Sequence, residues 1–227
     1  RPPKVELDTF DMPKSLRDMD RCTPCEIVPN YERPGGCWVN PIEAGTLGVV
    51  SRRVQFVPWR TAGRVTEQQR SVDEVVQETG WVFNNETGSS LTLEQFVLTG
   101  DEEVSSYLTV FGLQGPMNDD KIFIEIGCGI GRMTCALTRE FGHVIACDLD
   151  AGFLQRCHET VGRFGKPDRL KTVHVADGKS LNLPPDSADV AFSYITFQHC
   201  DADDALSLSS EAVRVVKPGG KVALNYR

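Results

Sequence analysis

The chain contains no long uncharged hydrophobic run and no block of basic residues. Its longest apolar stretches, such as residues 44–50, are much shorter than the roughly 20 residues that span a bilayer. Lysine and arginine are scattered, whereas nucleic-acid binding uses basic clusters, often interleaved with aromatic residues. We therefore expect neither a membrane nor a nucleic acid as a partner.

The N-terminal sequence also lacks the features of a secretory signal. RPPKVELDTFDMP has no basic stretch followed by an apolar one, so the cytoplasm is the expected location. Because the sequence begins at Arg1, we expect the true N-terminus to lie upstream of it.

Metal ligands are sparse at the spacing that a closed site needs. Cys22 and Cys25 form a C-x-x-C, and Cys37 follows, but no further Cys or His occurs before Cys128. A structural zinc takes four ligands, so we favour free thiols in a loop and predict no metal. The later cysteines lie in apolar periodic segments, where a thiol packs as a small hydrophobe, and a reducing compartment is expected.

The composition is that of a globular protein with a sizeable core. The 227 residues are 40% hydrophobic and 25% charged, and a chain of this length buries roughly 70% of its unfolded surface. Residues 1–120 hold 11 Lys and Arg against 19 Asp and Glu, whereas residues 121–227 hold 13 of each. Eight of the 13 prolines lie in the first 60 residues, which predicts an irregular N-terminal extension.

Helical patterns follow this extension. Valine spacing predicts a helix that ends near Gly80, and a short helix is predicted over 91–96. Thr99 and Glu102 have the spacing of a capping box, which predicts a further helix over 100–111.

From residue 121 onward, apolar strand-like runs alternate with amphipathic helical segments. This alternation is typical of a mostly parallel sheet flanked by helices. The predicted strands are 122–126, 144–148, 172–175, 188–194 and 221–226. The predicted helices are 131–141, 151–164 and 203–216, and the connection over 177–186 is expected to be irregular.

The most informative segment is a buried strand that leads directly into closely spaced glycines. Gly127, Gly129 and Gly131 would let the backbone and a helix N-terminus approach a nucleotide-like ligand. Arg132 stands where a dinucleotide fingerprint has its last glycine, which disfavours NAD and FAD. Glu125 would repel a pyrophosphate but accept a cationic amino group. The pattern therefore favours a positively charged ligand.

Acidic residues follow the next two predicted strands. Asp148 ends the second strand, where a carboxylate is placed to accept both hydroxyls of a ribose. Asp177 follows the third strand and is suited to accept from an exocyclic amine, beside Gly178. Each feature alone has an ordinary alternative, since a glycine pair is often a turn and an Asp after a strand is often a helix cap.

With these elements in this order, residues 121–227 resemble the class I S-adenosylmethionine-dependent methyltransferases, particularly the small-molecule branch with a Rossmann-like core. The resemblance implies S-adenosylmethionine as cofactor, bound by 99–227, with residues 1–98 as an extension and helical lid or approach segment. It implies that Glu125, Gly127 and Gly129 hold the methionine part, Asp148 the ribose, Asp177 and Gly178 the adenine, and that Ser193 lies near the sulfonium. Cys128 and Leu149 complete the predicted cofactor-binding set.

The sequence departs from this family at its C-terminal end. The usual core has seven strands, whereas the predicted strands here end with the fifth, so we expect either a truncation or another segment covering that edge. Residues 46–57 are a candidate for that pairing. An exposed parallel edge otherwise favours association with a second copy, so a homo-oligomer is one expectation.

Candidates for catalysis lie after the fourth strand, at the edge where open α/β sheets bind ligands. His199 is the first candidate base for a hydroxyl acceptor, although a His there can equally orient a loop; Tyr194 and Asp201 come next.

The expected acceptor is a hydroxyl of a sugar or secondary metabolite. Its pocket is expected to include aromatic side chains, unless these are ordinary core: Trp59, Trp81, Phe83 and Phe96. Two alternatives are a non-catalytic cofactor-binding or regulatory module and a nucleotide-binding oxidoreductase, the latter disfavoured by Arg132 and Glu125.

Overall fold

A computed structural model describes residues 71–79, 91–115 and 118–226. We number the helices and strands of this part in chain order. The α-helices are α1 (Val72–Thr79), α2 (Leu93–Val110), α3 (Arg132–Glu140), α4 (Ala151–Phe164) and α5 (Ala202–Val215). The strands are β1 (Ile122–Ile126), β2 (His143–Asp148), β3 (Leu170–His174), β4 (Ala188–Ser193) and β5 (Val216–Leu224).

The five strands form one parallel sheet in the order β3-β2-β1-β4-β5. The chain moves outward from β1 to β3, then returns to place β4 on the other side of β1. In such sheets, ligands bind at the carboxyl ends of the strands, where the order reverses. The predicted Rossmann-like fold is therefore confirmed, and its ligand edge lies beside β1 and β4.

The two faces of the sheet bury different helices because side chains alternate along each strand. Phe123 of β1 packs with residues of α2 and α3, whereas its neighbour Ile124 packs with residues of α5. The 175–183 segment, irregular as predicted, lies on the α5 face through Val175 and Leu181.

Helix α2 joins the two helices predicted over 91–96 and 100–111 into one continuous helix that begins at Leu93. Its capping box is formed by Thr92 and Gln95, whose side chains each accept from the other's backbone N–H. The box predicted at Thr99 is wrong, because Thr99 instead donates to the Phe96 carbonyl within the helix. The T-x-x-[EQ] spacing occurs twice between residues 91 and 103, and burial of Leu93 and its neighbours selects the first. The domain boundary predicted after residue 98 falls inside this helix.

Phe96 belongs to the core and not to a pocket wall. It is completely buried, in one cluster with Val75 and Val76 of α1. The other aromatic residues predicted for the pocket wall, the proline-rich extension, residues 46–57 and the N-terminal cysteines lie outside the described residues.

Strand β5 begins earlier than predicted, at Val216. Pairing with β4 starts there, shifts at a bulge, and resumes at Lys221, where we had placed the first residue. Gly220 fits the bulge because a Cβ there would lie 2.7 Å from the Asp189 carbonyl oxygen. Within the described residues, β5 is an edge of the sheet.

Two kinds of feature are absent from the described residues. None of the helices there combines the length and apolarity that a bilayer crossing requires. The same residues contain no group of three or more His, Cys, Asp or Glu side chains suited to hold a metal ion.

Candidate functional site

The predicted glycine turn links β1 to α3 at the carboxyl edge of the sheet. Gly127, Gly129 and Gly131 all have left-handed backbone angles, with φ of +80°, +53° and +95°. The amides of Gly127 and Cys128 both donate to the Cys147 carbonyl, at 2.8 and 3.0 Å. The turn is thereby fixed against the end of β2.

Asp148, the last residue of β2, lies directly against this turn. One carboxylate oxygen accepts from the Gly129 amide at 2.8 Å, and the other accepts from the Asp150 amide at 2.9 Å. Burial raises the pKa of Asp148 to about 6, although both hydrogen bonds act in the opposite direction. Two features predicted separately, the glycine turn and the strand-end carboxylate, thus form one site.

Glu125 places a second carboxylate beneath the turn. Its residue surface is 4% exposed, and it accepts a hydrogen bond from Thr134 Oγ1 at 2.6 Å. Burial raises the pKa of Glu125 to about 7, while the Thr134 hydrogen bond and the nearby Arg132 charge lower it. A carboxyl group whose pKa lies near neutral pH loses its proton readily when a cation approaches, because the cation stabilises the charged form. No pattern in the sequence indicates Thr134 as the partner of Glu125.

Arg132 connects the turn to helix α2. Its buried guanidinium forms an ion pair with the half-buried Glu103 at 2.7 Å and donates to Thr99 Oγ1 at 3.3 Å. Gly100 lets the two helices approach, because a Cβ there would lie 2.7 Å from the Arg132 carbonyl carbon. The sequence singles out Arg132 because it stands where a dinucleotide fingerprint has its last glycine. Nothing in the sequence indicated Glu103 or Thr99 as its partner.

The turn after β3 is more exposed. Asp177 accepts from the amides of Lys179 and Ser180, both at 2.9 Å, and these hydrogen bonds lower its pKa. Gly178 has φ of +68°, and a Cβ there would lie 3.8 Å from Leu149 Cδ1. Leu149 is 46% exposed, so the loops after β2 and β3 meet at an open apolar surface.

The segment after β4 folds back onto β1. The hydroxyls of Ser193 and Thr196 both donate to the Ile126 carbonyl, at 2.8 and 3.2 Å. Ser193 is fully buried, so its hydroxyl supports the floor of the site through this carbonyl. Between them, Ile195 has a left-handed backbone with φ of +65°.

Tyr194 projects toward helix α2. Its ring centroid lies 5.4 Å from that of Tyr107 and 6.0 Å from the guanidinium carbon of Arg132. The candidate catalytic ring is therefore half-buried among residues that also hold α2 in place.

The other two catalytic candidates occupy different local settings. His199 ends a short 3-10 helix, is half-buried, and has its Nε2 3.1 Å from the Gln198 amide nitrogen. Asp201 is the N-cap of α5 and accepts from the Asp204 amide at 2.9 Å. Its carboxylate thus has a structural role, one of the ordinary alternatives for an Asp that follows a strand.

The sheet order, the glycine turn and the carboxylate after β2 define a Rossmann-like domain with a nucleotide-type site. A family model described as a methyltransferase domain matches residues 124–224, which include both of these site features. Residues 124–224 are therefore similar to a methyltransferase domain, in line with the predicted resemblance to the class I S-adenosylmethionine-dependent methyltransferases.

Several known proteins that are similar to this chain carry methyltransferase names. Phosphoethanolamine N-methyltransferase 1 of Triticum aestivum is 28% identical over 157 residues, which are 66% of this chain and 30% of that protein. Methyltransferase tpcM of Aspergillus fumigatus is 33% identical over 99 residues, 44% of this chain and 29% of that protein. A structure of Haemonchus contortus phosphoethanolamine N-methyltransferase 1, with phosphoethanolamine and S-adenosylhomocysteine, is 19% identical and has a TM-score of 0.46. The match covers 70% of this chain and 33% of that one, so the chain spans about a third or less of each.

Proposed function

We propose that the chain binds S-adenosylmethionine at the carboxyl edge of the sheet and transfers its methyl group to a hydroxyl of a small molecule, a sugar or a secondary metabolite. The observation that carries this proposal is the 2.8 Å hydrogen bond between Asp148 and the Gly129 amide. It joins the glycine turn and the strand-end carboxylate within the segment that matches a methyltransferase domain.

The charges of the site fit this cofactor better than a dinucleotide. The buried Glu125 carboxylate favours the ammonium group of the methionine part and disfavours a pyrophosphate. Gly127, Cys128 and Gly129 line that part, and Asp148 accepts from the ribose hydroxyls. The exposed surface of Leu149 beside the Asp177–Gly178 turn suits the adenine ring.

S-adenosylmethionine, when bound, would supply an electrophilic methyl group, which the acceptor attacks in line with the breaking methyl–sulfur bond, so that S-adenosylhomocysteine is the leaving group. The protein holds acceptor and donor in that alignment and excludes water, and such positioning alone contributes about 7 to 11 kcal/mol. His199, at the end of the short 3-10 helix that follows β4, accepts the proton of the acceptor hydroxyl, a role worth about 10²- to 10⁴-fold in rate. Tyr194 borders the same edge and shapes the acceptor side.

A calorimetric titration tests the cofactor. S-adenosylmethionine and S-adenosylhomocysteine are titrated into the wild type and Asp148→Asn, with NAD as the control ligand. We expect both adenosyl ligands to bind the wild type, binding to weaken in the variant, and NAD not to bind. NAD binding without adenosyl binding would overturn the proposal in favour of an oxidoreductase.

Methyl transfer from labelled cofactor then tests the acceptor. The panel holds sugars, phenolic and aliphatic hydroxyl compounds, and phosphoethanolamine as a nitrogen acceptor. Transfer to a hydroxyl compound that is lost in His199→Gln is the expected result. Transfer only to phosphoethanolamine would move the activity to nitrogen, and tight cofactor binding without any transfer would favour a non-catalytic module. The cytoplasmic location and self-association stay predictions, which fractionation and light scattering would check.

A further inference from the structure

We infer that Thr196 is a positioning residue that couples the loop after β4 to the glycine turn. A movement of the turn on cofactor binding would then also move the loop on the acceptor side of the site. The inference rests on the proposed function for its consequence in catalysis. The coupling itself rests on contacts of the ligand-free chain.

The Thr196 hydroxyl lies among three backbone carbonyls. Its oxygen is 3.2 Å from the Ile126 carbonyl oxygen, 3.4 Å from that of Gly127 and 3.2 Å from that of Tyr194. Ser193 donates to the same Ile126 carbonyl at 2.8 Å. The hydroxyls of Ser193 and Thr196 therefore both point to the carbonyl of Ile126, the residue directly before the glycine turn.

The lack of a side chain at Gly127 leaves room for the Thr196 side chain. A Cβ at Gly127 would lie 2.7 Å from Thr196 Cβ and still closer to its methyl and hydroxyl groups. The glycine pattern predicted that a ligand would approach the backbone at Gly127. In the structure, the Thr196 side chain occupies the space on this side of the turn.

The backbone of the loop is held in an uncommon conformation to make this contact. Ile195 has φ of +65°, which is rare for a β-branched residue and persists only where the surroundings enforce it. Ile195 is 7% exposed, so its side chain is packed. The reversal at Ile195 directs Tyr194 toward α2 and Thr196 toward the turn.

The short 3-10 helix that carries His199 starts directly from this anchor. The amide of His199 donates to the Thr196 carbonyl at 3.0 Å. A shift of the glycine turn on ligand binding is therefore transmitted through the Thr196 side chain to the base. Removing the Thr196 hydroxyl should release the loop while leaving the turn intact.

Hydrogen exchange of the ligand-free protein is the first arm of the test. Thr196→Val removes the hydroxyl at nearly constant shape, Thr196→Ser keeps it, and Thr160→Val is a matched control that removes a buried hydroxyl bonded within α4. Loss of one hydrogen bond predicts about 2- to 10-fold faster exchange over residues 194–200 in Thr196→Val. Thr196→Ser and Thr160→Val should match the wild type there. Equal exchange in all four proteins would overturn the inference without any ligand.

Exchange with saturating S-adenosylhomocysteine is the second arm. In the wild type and Thr196→Ser, we expect slower exchange over both 127–131 and 194–200. In Thr196→Val, only 127–131 should be slowed. Protection of both segments in Thr196→Val would overturn the coupling, as would protection of 127–131 alone in the wild type. If the ligand protects neither segment of the wild type, the proposed cofactor is wrong, while the ligand-free arm still decides the contact.

Discussion

The carboxylates that follow the adjacent strands β1 and β2 differ from those that follow β3 and β4, the strands on either side of this pair. After β1 and β2, Glu125 and Asp148 are drawn into the interior, and burial raises the pKa of each, to about 7 and about 6. After β3 and β4, Asp177 and Asp201 accept from amides of their own turn and helix, at the protein surface.

The comparison shows that position after a strand does not by itself mark a ligand-binding carboxylate. An exposed Asp that closes its own turn is already stabilised and gains little from a ligand. A carboxylate held in a low-dielectric site loses hydration on folding and gains most when a cation or hydroxyl arrives. We therefore expect mutational effects to decrease from the first pair to the second.

The largest effect is expected for Asp148→Asn. Charge-assisted hydrogen bonds contribute about 1.5 to 3 kcal/mol each, so losing the charge opposite two ribose hydroxyls predicts roughly 100-fold weaker S-adenosylhomocysteine binding. Calorimetry measures this directly. Asp150→Asn is the matched control, because Asn caps a helix as well as Asp and the residue adjoins the same loop. Equal losses in both variants would assign the effect to the loop and not to the ribose.

The next effect concerns Glu125 and pH. Because an ammonium ligand favours the charged carboxylate, and the free pKa is about 7, cofactor affinity should rise with pH and be about tenfold weaker at pH 6 than at pH 8. Protonation of Asp148, with its pKa of about 6, adds a smaller loss at the acidic end.

Glu125→Gln should remove most of this pH dependence. At pH 8, the variant should bind about tenfold more weakly than the wild type, and at pH 6 the two should nearly coincide. Titrations at half-unit steps in pH check the prediction. If cofactor affinity still rises with pH in Glu125→Gln, the pH dependence comes from Asp148 or from the ligand.

A smaller effect, of a different kind, is expected at Asp201. Asp201→Ala removes the N-cap of α5, which costs about 1 kcal/mol of stability and lowers Tm by about 2 to 4 °C. Cofactor affinity should stay within about twofold of the wild type. Asp203→Ala, in the same exposed first turn, is the control and should leave Tm nearly unchanged. Loss of methyl transfer without loss of Tm would restore Asp201 as a catalytic candidate.

Local patterns predicted much of the fold. The bounds of β1 and α4 were predicted to the residue, because both are apolar periodic segments with clear breaks at each end. The continuity of α2 and the start of β5 were missed for local reasons. Two candidate capping boxes compete within α2, and the early pairing of β5 precedes a bulge and the apolar run.

The site was only partly predictable, because some of its contacts depend on how helices dock. The hydrogen bond from Thr134 to Glu125 requires α3 to lie over β1 in one register, and Arg132 meets Glu103 across 29 positions of sequence. No spacing rule gives either pair. The glycine turn and Asp148 were predictable because strand order alone brings them to one edge.

The smallest effect is expected for Asp177→Asn. Asn preserves the turn, since it accepts from the same amides, but removes the charge that would face the adenine amine. We expect S-adenosylhomocysteine to bind only a few-fold more weakly, and equally so from pH 6 to 8, because the pKa of Asp177 is lowered and the group stays charged. The matched ligand is S-inosylhomocysteine, which lacks the exocyclic amine and should bind the wild type and Asp177→Asn alike. If the variant weakens both ligands equally, Asp177 shapes the turn without contacting the base.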